Sequence, residues 1–264
     1  WTDGGQSGIT ATTYTLNGSD VGKILTFTVT PVNGKAVQGT PVSISTRDAT
    51  GTTGGDGNNP GGIIDPNAKP SVTADDITGT LEVGQVLEGQ YTFNANGADG
   101  RDASTFLWTD GGQAGITTQT YSLNASDVGH ILTFSVTAKN GAGVTGNTAS
   151  INTRDAAGTG GSGSGENPGE VIDPTIAPAA KDLDITGKLE VGQTLTGRYT
   201  FVANGGDTTD KSTYLWTDGG QSGITATTYT LNGSDVGKIL TFTVTPVNGK
   251  AVQGTPVSIS TRDA

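Results

Sequence analysis

Two pairs of aspartates are the residues best suited to bind a ligand. Asp99 and Asp102 precede one tryptophan-containing apolar segment, and Asp207 and Asp210 stand at the matching positions further along the chain. Calcium takes its oxygen ligands from clustered carboxylates and backbone carbonyls. Both loops are therefore candidate metal sites, and calcium is the one cofactor for which the residues argue. The competing interpretation is that these aspartates form turns and carry solubilising charge.

A second group of aspartates lies closer to the glycine-rich segments. Asp75 and Asp76 are matched in part by Asp182 and Asp184. Calcium at these positions would stiffen a joint between two domains. No EF-hand pattern accompanies either group of aspartates, so turn formation is the alternative here as well.

The groups needed for catalysis are missing. A hydrolase needs a nucleophile with a base, or two carboxylates held about the substrate. The chain has one histidine, His130, and no cysteine. Lysine stands at both positions that match His130, and the alternation of the strand points this side chain outward. A structural zinc site is excluded, and we predict that the chain is not an enzyme.

Charge and hydropathy narrow the list of partners. The formal net charge is −11, and an acidic protein repels nucleic acid and anionic membrane surfaces. No apolar run approaches the roughly 20 residues that span a bilayer. We therefore expect no nucleic acid and no membrane insertion by this part of the protein.

An internal repeat dominates the sequence. Residues 1–49 are identical to residues 216–264, and residues 108–156 are a diverged third copy. Leu-Glu-Val-Gly-Gln occurs at 81–85 and again at 189–193. The repeating unit is thus about 108 residues long, and two complete units follow the C-terminal half of another.

The repeat predicts the domain boundaries. Glycine-rich composition separates the units and usually forms linkers. We predict a half-unit at 1–49, a linker at 50–66, a complete domain at 67–156, a second linker at 157–174 and a second complete domain at 175–264. The half-unit has too few strands to close a core. Its missing strands must come from a preceding repeat or from another copy, so we expect self-association.

Apolar residues alternate with threonine and serine through each unit. Leu240, Phe242 and Val244 alternate with threonines, and no stretch has a helical period. This pattern is typical of half-buried antiparallel strands. About 90 ordered residues with seven strands and one tryptophan, Trp108 or Trp216, predict an all-β fold of tandem immunoglobulin-like sandwiches. We expect the inward glycines on the preceding strands, at 89 and 197, to make room for the indole rings.

Three segments also resemble a known family. The segments at 189–197, 214–219 and 228–245 are similar to the immunoglobulin-like repeats of large bacterial surface proteins and adhesins. The resemblance covers both complete units and the half-unit. It implies an extracellular or cell-surface location in a bacterium, and a role as a spacer.

The leading hypothesis is therefore a structural repeat of an adhesin stalk or surface filament, built into a longer polymeric array. One alternative is an immunoglobulin-like module that binds a carbohydrate or another ligand. The exposed aromatic side chains that stack on sugars are scarce in the predicted sheets, which favours the spacer. Another alternative is a set of accessory domains on a phage or on a secreted enzyme.

Overall fold

The computed structural model describes residues 1–51, 55–56, 59–159 and 169–264. Its regular elements are strands and three single-turn 3₁₀ helices, at Gly18–Asp20, Ala125–Asp127 and Gly233–Asp235. In the half-unit, β1 (Thr26–Val29) pairs antiparallel with β2 (Val42–Ser45). The short strands β3 (Gly55–Asp56) and β4 (Asn59–Pro60) pair with each other in the first predicted linker.

The two complete units have the same strand layout. In the second unit the strands are β5 (Ser71–Thr78), β6 (Val86–Asn94), β7 (Thr105–Thr109), β8 (Thr120–Ser122), β9 (Thr133–Lys139) and β10 (Thr145–Asn152). In the third unit they are β11 (Ala179–Thr186), β12 (Thr194–Val202), β13 (Thr213–Thr217), β14 (Thr228–Thr230), β15 (Thr241–Thr245) and β16 (Val257–Ser260).

Each complete unit is a sandwich of two three-stranded antiparallel sheets. The first, second and fourth strands form one sheet, β5-β6-β8 or β11-β12-β14. The third, fifth and sixth strands form the other, β7-β9-β10 or β13-β15-β16. This division of strands is that of immunoglobulin-like domains, so the predicted tandem immunoglobulin-like fold is confirmed. In the second unit, Val171 and Ile172 of the following linker add a seventh extended piece through isolated bridges.

An aromatic cluster fills the centre of each sandwich. Trp108 is 1% exposed and packs on Tyr121 and Phe134, with ring centroids 5.4 and 5.1 Å away. Trp216 is fully buried in the matching cluster of the third unit. The indole N–H of Trp108 donates a hydrogen bond of 3.1 Å to the carbonyl of Thr118, so the ring is buried without an unpaired donor.

The inward glycines face a different ring from the one expected. A Cβ on Gly89 would overlap the ring of Phe134, and a Cβ on Gly197 would overlap the ring of Phe242. Both phenylalanines lie on the facing sheet, on the strand next to the tryptophan strand. The glycines therefore admit the phenylalanine, and the indole lies beside it.

The half-unit repeats only part of the layout expected from its sequence identity with the third unit: β1 and β2 match β15 and β16, residues 13–15 form no strand where the third unit has β14, and the apolar face is open. Val29 is 48% exposed, whereas its match Val244 is completely buried. The difference arises because β11 and β12 cover one face of β15, and the half-unit contains no match for these two strands. Burial in this fold therefore depends on the facing sheet.

Gly197→Ala should destabilise the third unit by about 1–3 kcal/mol, because the added methyl group overlaps the ring of Phe242 in a packed core. Gly233→Ala is the matched control: a Cβ there meets nothing within 4 Å, and alanine occupies the same position, 125, in the second unit. Thermal unfolding measures both. Equal melting temperatures for the two variants would contradict this account of the core.

Candidate functional site

The four aspartates predicted to bind calcium each accept hydrogen bonds within their loops. Asp99 forms an ion pair with Arg101, with 2.5 Å between Oδ2 and Nη2. Hydrogen bonds from this guanidinium hold the pKa of Asp99 at about 2. Asp102 accepts hydrogen bonds from the hydroxyl of Tyr91 at 2.8 Å and from the N–H of Ser104 at 2.8 Å. Both carboxylates thus shape their loop.

The third unit repeats part of this arrangement. Asp207 accepts hydrogen bonds from the N–H groups of Thr209 at 2.8 Å and Gly249 at 3.3 Å. Asp210 accepts a hydrogen bond of 2.5 Å from the hydroxyl of Tyr199. Burial, followed by this hydrogen bond, raises the pKa of Tyr199. The tyrosine–aspartate contact is thus common to both units, whereas the ion pair occurs in the second unit.

The described side chains of these loops do not place three potential metal ligands around one point. Within the described ranges, no group of three or more His, Cys, Asp or Glu side chains is placed to hold a metal ion. Of the aspartates near the linkers, Asp75 accepts hydrogen bonds from Thr73 and Thr92, and Asp76 from the N–H of Gly158. Calcium binding stays a prediction that rests on residue type.

A second set of aspartates, absent from the sequence-based candidates, organises the corner after the fourth strand of each unit. Asp127 is fully buried. Its Oδ1 accepts hydrogen bonds from the Tyr121 hydroxyl at 2.5 Å and the Gly112 N–H at 2.9 Å. Its Oδ2 accepts from the Asn124 N–H and the Gln113 side chain, both at 2.8 Å. Four donors therefore surround one buried carboxylate.

The same corner occurs in every unit. Asp235 accepts from the Tyr229 hydroxyl at 2.7 Å, and Asp20 from the Tyr14 hydroxyl at 2.6 Å. Burial works to raise the pKa of Asp20, but the hydrogen bonds outweigh it and lower this pKa to about 2. The pKa of Asp235 is lowered in the same way. The carboxylates of Asp20 and Asp235 thus remain ionised, and each corner carboxylate accepts hydrogen bonds that fix the 3₁₀ turn in which it lies.

The corner aspartate directly precedes the place where one unit meets the next linker. Val171 pairs in parallel with Val128: the Gly129 N–H donates to the Val171 carbonyl at 2.9 Å, and the Val171 N–H to the His130 carbonyl at 3.0 Å. Val171 is 1% exposed and belongs to the core of the second unit. The predicted linker therefore supplies a core residue.

Ile172 closes the other side of this joint. Its N–H donates to the Leu81 carbonyl and its carbonyl accepts from the Val83 N–H, both at 2.9 Å. Two neighbouring residues of the linker thus pair with two separate segments of the second unit, Ile172 with residues 81–83 and Val171 with residues 128–130. Leu81, whose carbonyl accepts the hydrogen bond from Ile172, has no exposed surface and belongs to the same core cluster as Val171. We refer to the space between residues 81–83 and 128–130 as the linker slot.

The third unit begins immediately after the slot is filled. The Asp173 N–H donates to the Gly205 carbonyl at 2.9 Å. A Cβ on Gly205 would lie 2.8 Å from Cγ1 of Val128, so glycine permits the two units to touch. Lys250 of the third unit forms an ion pair of 2.6 Å with Glu82 of the second. The joint is the candidate functional site of the chain.

The joint between the half-unit and the second unit repeats the pairings made by Val171 and Asp173. Ile63 pairs with Val21, its carbonyl accepts from the Gly22 N–H at 2.8 Å, and its N–H donates to the Lys23 carbonyl at 2.9 Å. The Asp65 N–H donates to the Gly97 carbonyl at 2.8 Å. The sequence signal for both joints is a motif of two aliphatic residues followed by Asp-Pro, at 63–66 and 171–174.

The calcium hypothesis predicts a lower melting temperature in a chelator than in calcium. Saturation at about 100 times Kd would stabilise the binding unit by about 2.7 kcal/mol. Replacing Asp99 and Asp102 together by asparagine would remove the difference in the second unit, while Asp48→Asn, at an exposed turn of the half-unit, would leave it. Identical melting temperatures with and without the chelator would end the hypothesis.

The corner carboxylates predict acid sensitivity. Because the pKa of Asp235 is lowered in the folded state, the unfolded chain binds the proton first as pH falls below the ordinary value of 3.8. The free energy of unfolding therefore decreases from about pH 4 downward. Asp235→Asn should flatten this slope and, at neutral pH, cost about 1–3 kcal/mol for each donor left unpaired. Thermal melts over pH measure both, with the exposed Asp263→Asn as control.

Comparison with known proteins supports the immunoglobulin-like fold. A family model described as the AIR9 A9 domain, an immunoglobulin-type domain, matches residues 179–261. This range is the third unit almost in full, and the second unit shares its strand layout. No curated protein sequence matches the chain. A search for helices that are long and apolar enough to cross a membrane finds none in the described ranges.

Among solved structures, the chain is similar to three N-terminal domains of the highly immunogenic outer capsid protein (Hoc) of bacteriophage RB49. The identity is 14% and the TM-score is 0.31, over 73% of this chain and 58% of the phage structure. The chain thus spans less than two thirds of that structure. The class of the third unit, an immunoglobulin-like β-sandwich, rests on the family match and on the strand layout.

Proposed function

We propose that the chain is a structural spacer, a stalk or filament segment of a bacterial extracellular adhesin or surface protein, without catalytic activity. One observation carries the proposal: the residues that connect two units are part of the core of the first. Val171 is buried in the second unit, and Asp173, two residues later, pairs with the third. A connection this short restricts the rotation of one unit against the next.

A joint of this kind suits a part that must hold a fixed reach. Free glycine-rich linkers behave as flexible coils and let domains wander. Here three successive residues, at 171–173, are paired by backbone hydrogen bonds to one unit or the other. The contact of Val128 with Gly205 and the ion pair of Lys250 with Glu82 add side-chain support. Repetition of stiff joints would make length proportional to the number of units.

Binding of carbohydrate is the competing function, and the aromatic side chains argue against it. Sugar binding by such modules uses exposed aromatic rings. Every Trp, Tyr and Phe of the chain lies in the described residues, and each is buried or half-buried. Most belong to or pack on the two cores. A glycan array with clear binding that depends on the number of units would favour the competing function over the spacer.

Deleting residues 67–174 joins the two Asp-Pro motifs in register and removes one unit. We expect the maximum dimension in small-angle X-ray scattering to fall by ~30 Å, the length of a nine-residue strand at about 3.3 Å per residue. Replacing Val171 and Ile172 by serine should broaden the distance distribution without removing a unit, because it empties the joint. Leu107→Ser, at an exposed strand position, is the control.

Two outcomes would contradict the spacer. The first is an unchanged maximum dimension after deletion of the unit, because a spacer must shorten with each unit removed. The second is a distance distribution for the serine variant that equals that of the unaltered chain, because a stiff joint must loosen when its buried residues are lost.

A further inference from the structure

The glycine-rich residues 157–170 leave the second unit and return to it at one residue, Thr153. At the departing end, the hydroxyl of Thr159 donates to the Ala156 carbonyl at 3.1 Å and to the Thr153 carbonyl at 3.4 Å. At the returning end, the hydroxyl of Thr153 donates to the Gly169 carbonyl at 2.5 Å. Residues 160–168, between these ends, lie outside the described ranges. Thr153 thus holds the two ends beside each other.

Thr153 is itself fixed at the start of strand β9. Its N–H donates to the Leu132 carbonyl at 2.9 Å, and its hydroxyl oxygen accepts from the Leu132 N–H at 3.2 Å. The residue is 1% exposed. A threonine hydroxyl has one hydrogen to donate, and here Gly169 receives it. The side chain is therefore used in full and forms a firm point of attachment.

The departing end is also attached to strand β5. The Gly158 N–H donates to Oδ1 of Asp76 at 3.0 Å, and a Cβ on Gly158 would lie 2.8 Å from the carbonyl oxygen of Ile77. Thr159, the next residue, is 1% exposed. The chain therefore stays bound to the second unit for three residues beyond Ala156.

Glycine is required where the chain returns. Gly169 has φ of 90°, and a Cβ there would lie 2.4 Å from Cα of Arg154. Two residues later, Val171 enters the linker slot. The returning end is thus held by Thr153 and by the slot before Asp173 pairs with the third unit.

The first joint has the same attachment. The hydroxyl of Thr46, the match of Thr153, donates to the Gly61 carbonyl at 2.7 Å and accepts from the Leu25 N–H at 3.2 Å. Gly61 has φ of 79°, and a Cβ there would lie 2.4 Å from Cα of Arg47. The pair of threonine and glycine therefore recurs at both joints.

The two joints differ in the length of the segment that they hold. Ile63 follows Thr46 by 17 residues, whereas Val171 follows Thr153 by 18. Each aliphatic residue nevertheless stands two positions after its glycine and makes the same pairing with the unit before it. The extra residue therefore lies before the glycine and does not alter the joint.

We propose that the glycine-rich residues between Thr159 and Gly169 do not contribute to the distance between the second and third units. Thr153 and the linker slot return the chain to the second unit, so the reach of the stalk depends on the units and on residues 171–173. Thr153 and Thr46 are the positioning residues. The proposal deepens the proposed spacer function, on which it rests for its biological use.

Changing the length of the segment distinguishes this arrangement from an ordinary linker. A free glycine-rich linker with the length of residues 160–168 would span about 15–18 Å, and one twice as long about 21–25 Å. The entropy cost of closing a loop rises slowly with its length, so the attachments should survive a doubling. An ordinary linker thus predicts a longer distance between units, and an attached one predicts no change.

The experiment places one sequence at two positions. A second copy of residues 160–168 is inserted directly after 168 in one variant and between Ile172 and Asp173 in the other, which has the same composition and mass. The chain has no cysteine, so Val86→Cys and Thr194→Cys, at matching exposed positions, carry spin labels. Double electron–electron resonance measures the distance between the units, and thermal melts confirm folding.

We expect the insertion after 168 to leave the position and the width of the distance distribution unchanged. The insertion between Ile172 and Asp173 should lengthen and broaden the distribution. A third variant combines Thr153→Val with Val171→Ser and Ile172→Ser, which removes the attachments of the returning end. In that background, the insertion after 168 should also lengthen the distance.

A distance that grows as much with the insertion after 168 as with the insertion after 172 would overturn the proposal. So would an unchanged distance after the insertion at 168 in the third variant, because other contacts would then hold the units and Thr153 would have no positioning role. Deleting a whole unit tests the spacer separately. If that deletion shortens the chain while the insertion after 168 lengthens it, this proposal fails and the spacer stands.

Discussion

The arrangement of the units depends on how each sandwich is closed at the end where the chain leaves it. A slot lies there between residues 81–83 and residues 128–130. Val171 and Ile172 fill the slot, with one residue hydrogen-bonded to each side. Their burial is worth about 1.5–3 kcal/mol each. Val171 and Ile172 therefore belong structurally to the second unit. Because Asp173 already pairs with the third unit, only a short stretch of backbone can bend between the two units.

The buried corner carboxylate determines the shape of one wall of this slot. Asp127 ends the 3₁₀ turn, and Val128 follows it in an extended conformation with φ −58° and ψ 129°. This geometry turns the Gly129 N–H and the His130 carbonyl toward Val171. A buried carboxylate without partners would be costly, so the four hydrogen bonds that satisfy it also keep the turn in one conformation. The hydrogen bonds to Asp127 therefore hold the wall of the slot in the position in which it pairs with Val171.

The sequence predicts the fold of the units well and their connections poorly. Period-two alternation and the repeat were sufficient for the strands and the buried tryptophans. The prediction that Gly89 makes room for the indole ring is wrong, because Gly89 faces Phe134. Alternation shows which way a residue points but not which residue of the facing sheet it contacts. Glycine-rich composition predicts a linker, but it does not indicate that Val171 within this linker is buried in the core of the second unit. Repetition of two aliphatic residues before Asp-Pro was the available signal.

The predicted ligand sites illustrate a different limit. Asp99 and Asp102 are close in sequence, but metal binding requires that several oxygen atoms converge on one point. The pattern of residue types contains no such distances, and it does not show that Arg101 forms an ion pair with Asp99. The sequence analysis did not predict the corner formed by Tyr121 and Asp127, although these residues are near neighbours in sequence. A tyrosine at an inward strand position is already explained by packing, so nothing in the pattern pointed to a polar partner. Its hydroxyl needed a partner, and the buried aspartate supplies it.

The second and third units together show why closure matters more than the surface contacts between units. Glu82 and Lys250 tie the two units across a solvent-accessible gap, and such pairs contribute little in water. The backbone pairings of Val171 and Ile172 instead involve groups that water does not reach. The stability of one unit therefore includes a term from the residues that lead into the next, as in repeat proteins with nearest-neighbour coupling. Gly205, at φ 92°, completes the coupling because a side chain there would push the third unit away from Val128.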